Sequence, residues 1–271
     1  MVKGLYTAWT GMRNEQHRMD ILTNNLANAD TTGYKKEGSV SQTFSDLLGL
    51  KIKDLSEAPR TARGLGILNL GVKLGETYVD WSEGPFKDTG DTYSLAIAGR
   101  GFFAIEYTNR APNVRRAEEG ETTIMYTRDG DFTLTHDGTI VTQDGDFVLD
   151  QDGNHIQVDP TIVGNNTQIN EQGQIIQNGQ VVGQVGLFDF EDYDALEHYG
   201  ENFFEPVEEA VVIPAEEARI RSGFLEQSNV SVVDEMVSMI TVQRQYETLQ
   251  KMIQTEDDTI NTAVTQVGRL Q

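Results

Sequence analysis

Apolar residues at Leu5, Trp9, Met12, Met19 and Leu26 recur at steps of three and four, or of seven where a polar Gln16 or Thr23 stands between them. That is the period of a helix presenting one face, and it predicts a helix over residues 3 to 28, about 39 Å long at roughly 1.5 Å per residue. Asn28 and Asp30 then compete for backbone hydrogen bonds and Gly33 tolerates positive φ, so the helix stops there. At the far end Val232, Met236, Met239, Tyr246, Ile253, Ile260, Val264 and Val267 repeat the period, with Gln243, Gln250 and Asp257 interrupting the seam. Ser231 with Asp234 fits a capping signature, residues 229 to 267 contain no Pro or Gly, and Gly268 stands where a C-cap belongs. This helix approaches roughly forty residues where globular helices average about 11 to 12, a length that points to a coiled coil or a bundle.

From about residue 76 to 225 the period changes to two. Runs such as Tyr93 to Ala98, Phe102 to Tyr107, Phe132 to Thr135, Thr139 to Thr142 and Phe147 to Leu149 are separated by turn dipeptides. Asp129-Gly130, Asp137-Gly138, Asp144-Gly145 and Asp152-Gly153 each read as a hairpin, because a type I′ turn needs the positive φ that Asp and Gly adopt, and Asn178-Gly179 continues the pattern. The middle is therefore an antiparallel β domain of short strands. Residues 38 to 75, punctuated by glycines, read as an extended arm and not as a compact domain. Phe44, Leu47 and Leu48 suggest a short helical turn there, and Ala58-Pro59-Arg60-Thr61 and Gly64-Leu65-Gly66 suggest loop.

The two stripes fit an antiparallel pair within one chain. They fit neighbours from other subunits equally well, because some 200 residues of different character separate them and polar residues break both seams. Charge adds to this picture. The formal net charge of -22 divides as +3, -21 and -4 over residues 1–74, 75–225 and 226–271. A field so acidic repels phosphates, which argues against nucleic-acid binding. Cysteine is absent, which removes disulfides, thiolate metal sites and a Cys nucleophile. The N-terminus lacks the apolar segment and cleavage site of a secretory signal, and no apolar run is long enough to span a bilayer, so no membrane insertion is expected.

Three motifs invite chemistry and fall short of it. Gly99-Arg-Gly101-Phe-Phe-Ala104 matches a loose dinucleotide pattern, but the residues that follow alternate as a strand, which predicts a tight turn between strands. Asp150-Gln-Asp152-Gly-Asn154 lacks the glycine and glutamate positions of a calcium loop. His17, His136, His155 and His198 are scattered, with no metalloprotease, nucleophile-elbow or Walker A spacing. No catalytic residue, cofactor or metal is expected.

The stretch from Leu22 through Asn25, Asn28, Thr31, Gly33, Tyr34 and Lys35 resembles the N-terminal signature of bacterial flagellar rod and hook proteins. Gly223-Phe-Leu-Glu-Gln-Ser228-Asn229-Val230, followed by Glu235-Met236-Val237 and by Gln243, Arg244, Tyr246 and Glu247, resembles that family's C-terminal signature. Gly99-x-Gly101-Phe102-Phe103 and Tyr126-Thr-Arg128-Asp-Gly130-x-Phe132 are similar to its central β motifs, so the resemblance spans nearly the whole chain in order.

The resemblance implies an α+β subunit of the basal-body rod, the shaft between motor and hook, with the distal rod favoured over the proximal. In such proteins the long terminal helices pack as a coiled-coil-like inner domain around the export channel and the antiparallel all-β domain lies outside. The implied partners are further copies of the chain, other rod and hook proteins and the flagellar type III export apparatus; the implied location is the extracytoplasmic basal body. The implied divisions are residues 1–37 and 226–271 as inner axial segments, 38–75 as the arm and 76–225 as the β domain. Leu5, Trp9, Met12, Met19, Leu22 and Leu26 are expected to pack against Val232, Met236, Met239, Ile240, Tyr246, Ile253 and Ile260, within and between subunits. Asn25, Asn28, Thr31, Gly33 and Tyr34 are expected to fix the exit of the N-terminal helix and the direction of the arm, and Ser228, Asn229, Glu235, Gln243 and Arg244 are the motif residues of the C-terminal resemblance. The competing reading is a secreted acidic β protein that binds cations or cell-wall polymer through its middle domain.

Overall fold

The structure is a computed structural model and describes residues 2–51, 63–108, 122–160, 162, 167–200, 202–207, 210–215 and 218–268. The chain forms two compact units and passes between them four times. One unit holds Met1–Ala27, Glu37–Val79 and Ser231–Gln271; the other holds Asn28–Lys36 and Asp80–Val230.

The first unit contains both terminal helices, α1 (Val2–Ala27) and α2 (Val232–Gly268). Each stands where the apolar period put it, to within a few residues. α2 is described as far as Gly268, and the side chain of Val267 lies outside the described residues, as do Ala58 to Thr61. The segment between the helices differs from expectation. It is a pair of antiparallel ribbons in which β1 (Glu37–Thr43) pairs with β4 (Val72–Val79), and β2 (Leu47–Lys51) with β3 (Arg63–Leu68). Leu47 and Leu48 are not a helical turn: they stand opposite Leu68 and Ile67 across the ribbon. Three leucines broken by Gly49 cannot offset the cost of nucleating a helix, whereas pairing satisfies the backbone of both segments at once. Gly64, Leu65 and Gly66, expected as loop, lie within β3.

The second unit is an antiparallel β structure. Its nine-stranded sheet runs in the order Leu196–Gly200, Phe203–Pro206, Thr122–Thr127, Phe102–Thr108, Phe147–Val148, Ile140–Thr142 and Phe132–Leu134, with Leu187–Phe190 and Val212–Pro214 branching from the Phe102–Thr108 strand. The continuous apolar run Phe102-Phe103-Ala104-Ile105 follows from burial on both faces. Phe103 and Ile105 join Leu95, Ile97, Met125 and Phe132 on one side. Phe102 and Ala104 join Tyr126, Phe190 and Phe204 on the other, because successive side chains of a strand point to opposite faces.

The glycine turns divide by mechanism. Asn178 (φ 52) and Gly179 (φ 82) are both left-handed and join Gln174–Gln177 to Gln180–Gln184 by the two-residue turn expected of all five dipeptides. At Gly138, Gly145 and Gly153 only the glycine has positive φ. Asp129-Gly130 is not a hairpin at all. The strands on either side of it pair with other strands and not with each other, and Gly130 is required because any Cβ there would run into the carbonyl of Leu95, whose amide bonds Gly130 O at 2.9 Å.

Gly130→Ala should therefore destabilise the protein by about 3 kcal/mol through forced overpacking. Gly153→Ala, with open space around it and φ 79, should lose only the left-handed penalty of about 1 kcal/mol. Thermal denaturation of the two variants checks the difference.

Candidate functional site

Two sets of residues stand out, one in each unit. In the first, α1 and α2 run antiparallel. A Cβ on Gly4 would sit 2.6 Å from Glu256 Oε1, and one on Gly11 would sit 3.3 Å from Leu249 Cδ1. Gly4, buried Ala8 and Gly11 lie at helical spacing, and their small size allows close approach of α2. On α2 Glu235, Met239, Val242, Tyr246, Leu249, Ile253, Glu256, Ile260 and Ala263 are buried or half-buried in alternating steps of four and three, with half-buried Ser238 beside them. Apart from Ser238 these positions follow a heptad spacing.

Met239, Tyr246, Ile253 and Ile260 thus lie on the seam, but Gln243, Gln250 and Asp257 do not interrupt it. Val242, Leu249 and Glu256 fill the intermediate positions. Val232, Met236 and Ile240 are 42%, 51% and 51% exposed and belong to a second apolar stripe. On α1, Leu5, Met12, Met19, Leu22 and Leu26 are half-buried, and Trp9 is 47% exposed. The first turn of α1 has no acidic residue of its own, so the Glu256 carboxylate beside Gly4 supplies negative charge at the positive end of that helix.

A further face of α1 meets the ribbon through polar groups. Asn25, fully buried, donates from Nδ2 to Glu37 O at 2.8 Å and accepts the Glu37 N–H at Oδ1 at 3.0 Å, so its amide holds the start of β1 as a neighbouring strand would. Asn14 donates to Ser41 Oγ at 3.0 Å, and Gly71 leaves room for Thr10. Tyr6, Trp9, Arg13 and His17 of α1, with Phe44 and Lys73, line a groove of about 430 Å³. Glu235 is buried and its N–H bonds Ser231 O at 3.0 Å, whereas Gln243 and Arg244 are exposed.

In the second unit the residues after α1 close on a buried carboxylate. Thr31 turns back onto Asn28, with Thr31 N bonding Asn28 O and Thr31 Oγ1 bonding Asn28 Oδ1, both at 3.2 Å. Gly33, at φ 68, donates its N–H to Glu226 O at 2.8 Å and faces the backbone of Asp129 with no room for a Cβ. Tyr34 is buried beside it in sequence. Lys35 Nζ then donates to Glu226 Oε1 at 2.6 Å and to Ser82 O at 2.8 Å. Glu226 also accepts the Gly84 N–H at 3.0 Å and Arg128 Nη1 at 3.2 Å, and Arg128 Nη2 bonds Gly99 O at 2.9 Å over the ring of Phe102. Burial pushes the Lys35 ammonium below its ordinary value; Glu226 opposes that shift and the Arg128 charge adds to it.

Asn229 binds two segments of this unit. It accepts the Lys36 N–H at 2.8 Å and donates to Asp80 O at 2.8 Å and Ser82 Oγ at 3.0 Å, while Ser228 Oγ accepts the Val230 N–H at 3.3 Å. Lys35, Arg128 and Glu226 stand inside the family-like motifs, where the sequence alone assigns them no role. A charged residue inside the apolar Phe224-Leu225-Glu226 strand was the available signal.

Elsewhere in this unit Asp30, Asp129, Asp131 and Asp144 border a cavity of about 300 Å³. Burial raises the Asp129 carboxyl, against hydrogen bonds from Thr32 Oγ1 at 2.7 Å and Asp131 N at 3.1 Å. Among the described residues no group of three or more His, Asp or Glu side chains is arranged to hold a metal ion, and no helix is long and apolar enough to cross a membrane.

An antiparallel β unit in the middle of a chain whose two ends return as one helix pair defines an α+β structural class. Comparison makes it specific. Residues 5–35 match the family described as flagella basal body rod protein, 96–177 the flagellar hook protein FlgE/F/G D1 domain, and 221–266 the C-terminal region of the flagellar basal body rod FlgEFG protein. The flagellar basal-body rod protein FlgF of Caulobacter vibrioides is 31% identical over 270 residues, all of both chains. The FlgG rod protein of Bacillus subtilis is 32% identical over 281 residues, 97% of this chain and 98% of the relative. That of Borreliella burgdorferi is 32% identical over 279 residues, again 97% and 98%. The chain belongs to the flagellar basal-body rod protein family, as a structural rod protein of the flagellar basal body.

Glu226→Gln removes the shared counter-charge and leaves two buried cations, and should cost about 3 to 5 kcal/mol. Adding Lys35→Met should recover part of that loss, giving a non-additivity of about 1 to 3 kcal/mol in a double-mutant cycle followed by denaturant unfolding. For Asp129 the folded carboxyl keeps a proton that the unfolded chain releases at its ordinary 3.8, so stability falls as pH rises from 3.8 through the folded value. Asp129→Asn retains the Oδ1 acceptor without the charge; it should stabilise the protein at pH 7 and give no gain at pH 3.5, read from unfolding midpoints at the two pH values.

Proposed function

We propose that the chain polymerises through its terminal helices into the rod, forming the axial drive shaft between motor and hook, and that it performs no catalysis. The observation that carries this reading is the second apolar stripe of α2. Val233, Met236, Val237 and Ile240 are each at least half exposed although α1 already covers the heptad seam. A helix with one apolar face still in water does not fully offset its ordering entropy until a neighbour covers that face. On this reading residues 1–37 and 226–271 are the inner axial segments and associate as a coiled coil, 38–75 is the arm and 76–225 the β domain. The predicted packing residues of both helices work within and between subunits, and Asn25, Asn28, Thr31, Gly33, Tyr34, Ser228 and Asn229 fix the helix exits.

Other rod and hook proteins are the expected neighbours, and the flagellar type III apparatus the expected exporter of a monomer with unfolded ends. The arm supports a place in the distal rod, although relatives named FlgF and FlgG match at near-equal identity. The acidic cavity favours the reading as a cation-binding β protein, but that reading gives the second stripe no role.

Deleting residues 1 to 30 should abolish polymerisation and motility, and retention of both would remove this proposal. Limited proteolysis of the dilute monomer, read by mass spectrometry with circular dichroism, should release a protected fragment near residues 76 to 225 from rapidly digested ends. Protected, helical ends would instead indicate a self-contained protein.

A further inference from the structure

We infer that copies join head to tail through two different patches of the helical unit, the apolar stripe at the start of α2 in one copy seating in the aromatic groove beside α1 of the next. The inference rests on the polymer reading above and names the contact that would build it. The stripe is Val233, Met236, Val237 and Ile240, 70%, 51%, 59% and 51% exposed, at steps of three and four and therefore on one helix face. The groove is its counterpart in chemistry. Tyr6 and Trp9 are 46% and 47% exposed, their ring centroids lie 5.9 Å apart, and the Arg13 guanidinium stands 6.0 Å from the Trp9 ring.

Charge orients the pair. The groove is lined by Arg13, His17 and Lys73 and by no carboxylate. Along α2 from Val232 to Ile240 the charged residues are Asp234, exposed beside the stripe, and Glu235, buried in the seam. A basic aromatic groove and an acidic-edged apolar stripe complement each other, whereas stripe against stripe would bring two Asp234 carboxylates together. Because the patches differ, a copy that fills its neighbour's groove still offers its own, so the contact repeats instead of closing at two. One copy cannot satisfy itself. Gly4 faces Glu256 and Gly11 faces Leu249, so Tyr6 lies across from the far half of α2, about 30 Å from Val233 at roughly 1.5 Å per residue.

The absence of cysteine makes a direct test possible. Copies carrying Tyr6→Cys and copies carrying Val233→Cys are produced together in flagellated cells that have no other source of the protein, and isolated basal bodies are oxidised gently. A disulfide needs Cα atoms within about 7 Å, so a two-chain product that requires both variants is the expected result. Trp9→Cys with Val237→Cys serves as a second pair in case the first thiols are misaligned. Linkage of Val233→Cys copies to each other, or incorporation of both variants with no mixed product from either pair, overturns the inference.

Charge reversal gives an independent reading. Arg13→Asp and Asp234→Arg should each lower incorporation at least tenfold, and combining them in one chain should restore it; no restoration counts against the contact. If the unsubstituted chain itself is missing from basal bodies, the rod reading fails and this contact falls with it, an outcome distinct from polymers that assemble without the link.

Discussion

A single buried carboxylate, Glu226, organises the second unit. It accepts Lys35, Arg128 and the Gly84 N–H, groups that stand 191, 98 and 142 residues away in sequence. Ionic groups with 1% to 3% side-chain exposure are tolerated only when paired, because each alone would carry the cost of leaving water. Their mutual requirement therefore specifies the arrangement. The segment that leaves α1, the loop at Ser82 to Gly84, the Thr122–Thr127 strand end and the segment that leads to α2 reach their places together. Phe102 below Arg128 links this polar cluster to the aromatic core of Trp81, Tyr193, Phe190 and Phe204.

The helical unit follows another rule. The α2 seam is a regular heptad, but what it meets on α1 near the N-terminus is Gly4, Ala8 and Gly11. Small residues bring the helices close and leave the larger apolar residues of α1 at the edges of the contact. A further face of α1 meets the ribbon through hydrogen bonds of Asn14 and Asn25 and through the close fit of Thr10 against Gly71. Hydrogen bonds of that kind demand one register, so the ribbon is fixed by geometry more than by bulk.

The helices and the strands Leu95–Ala98, Phe102–Thr108, Phe132–Leu134, Ile140–Thr142 and Phe147–Val148 were legible in the sequence because their signals are local: a 3.6 period and a two-residue alternation lie within each element. The seam was only half legible. Residues 232, 236 and 240 belong to one apolar stripe of α2 and residues 239, 246, 253 and 260 to another, and a count of apolar spacing merges the two. Ala8 and Gly11 escape such a count because their contribution is absence of bulk. The ribbon was misread because its partner strands are separated by residues that look like loop, and Asp129-Gly130 because a turn dipeptide does not reveal whether the flanking strands pair with each other. Lys35 and Lys36 look alike in sequence. Only the fold makes one of them a buried partner of Glu226.

Asn229 gives the second unit a mechanical property. Its amide joins the backbone at Lys36, Asp80 and Ser82 to the segment that ends at Val230, so the places where chain enters and leaves this unit are tied to one another at short range. Tension applied between residues 36 and 230 is then borne by a few hydrogen bonds and the adjacent Lys35–Glu226 ion pair. None of these groups belongs to the nine-stranded sheet, which therefore keeps its shape until the clamp has opened.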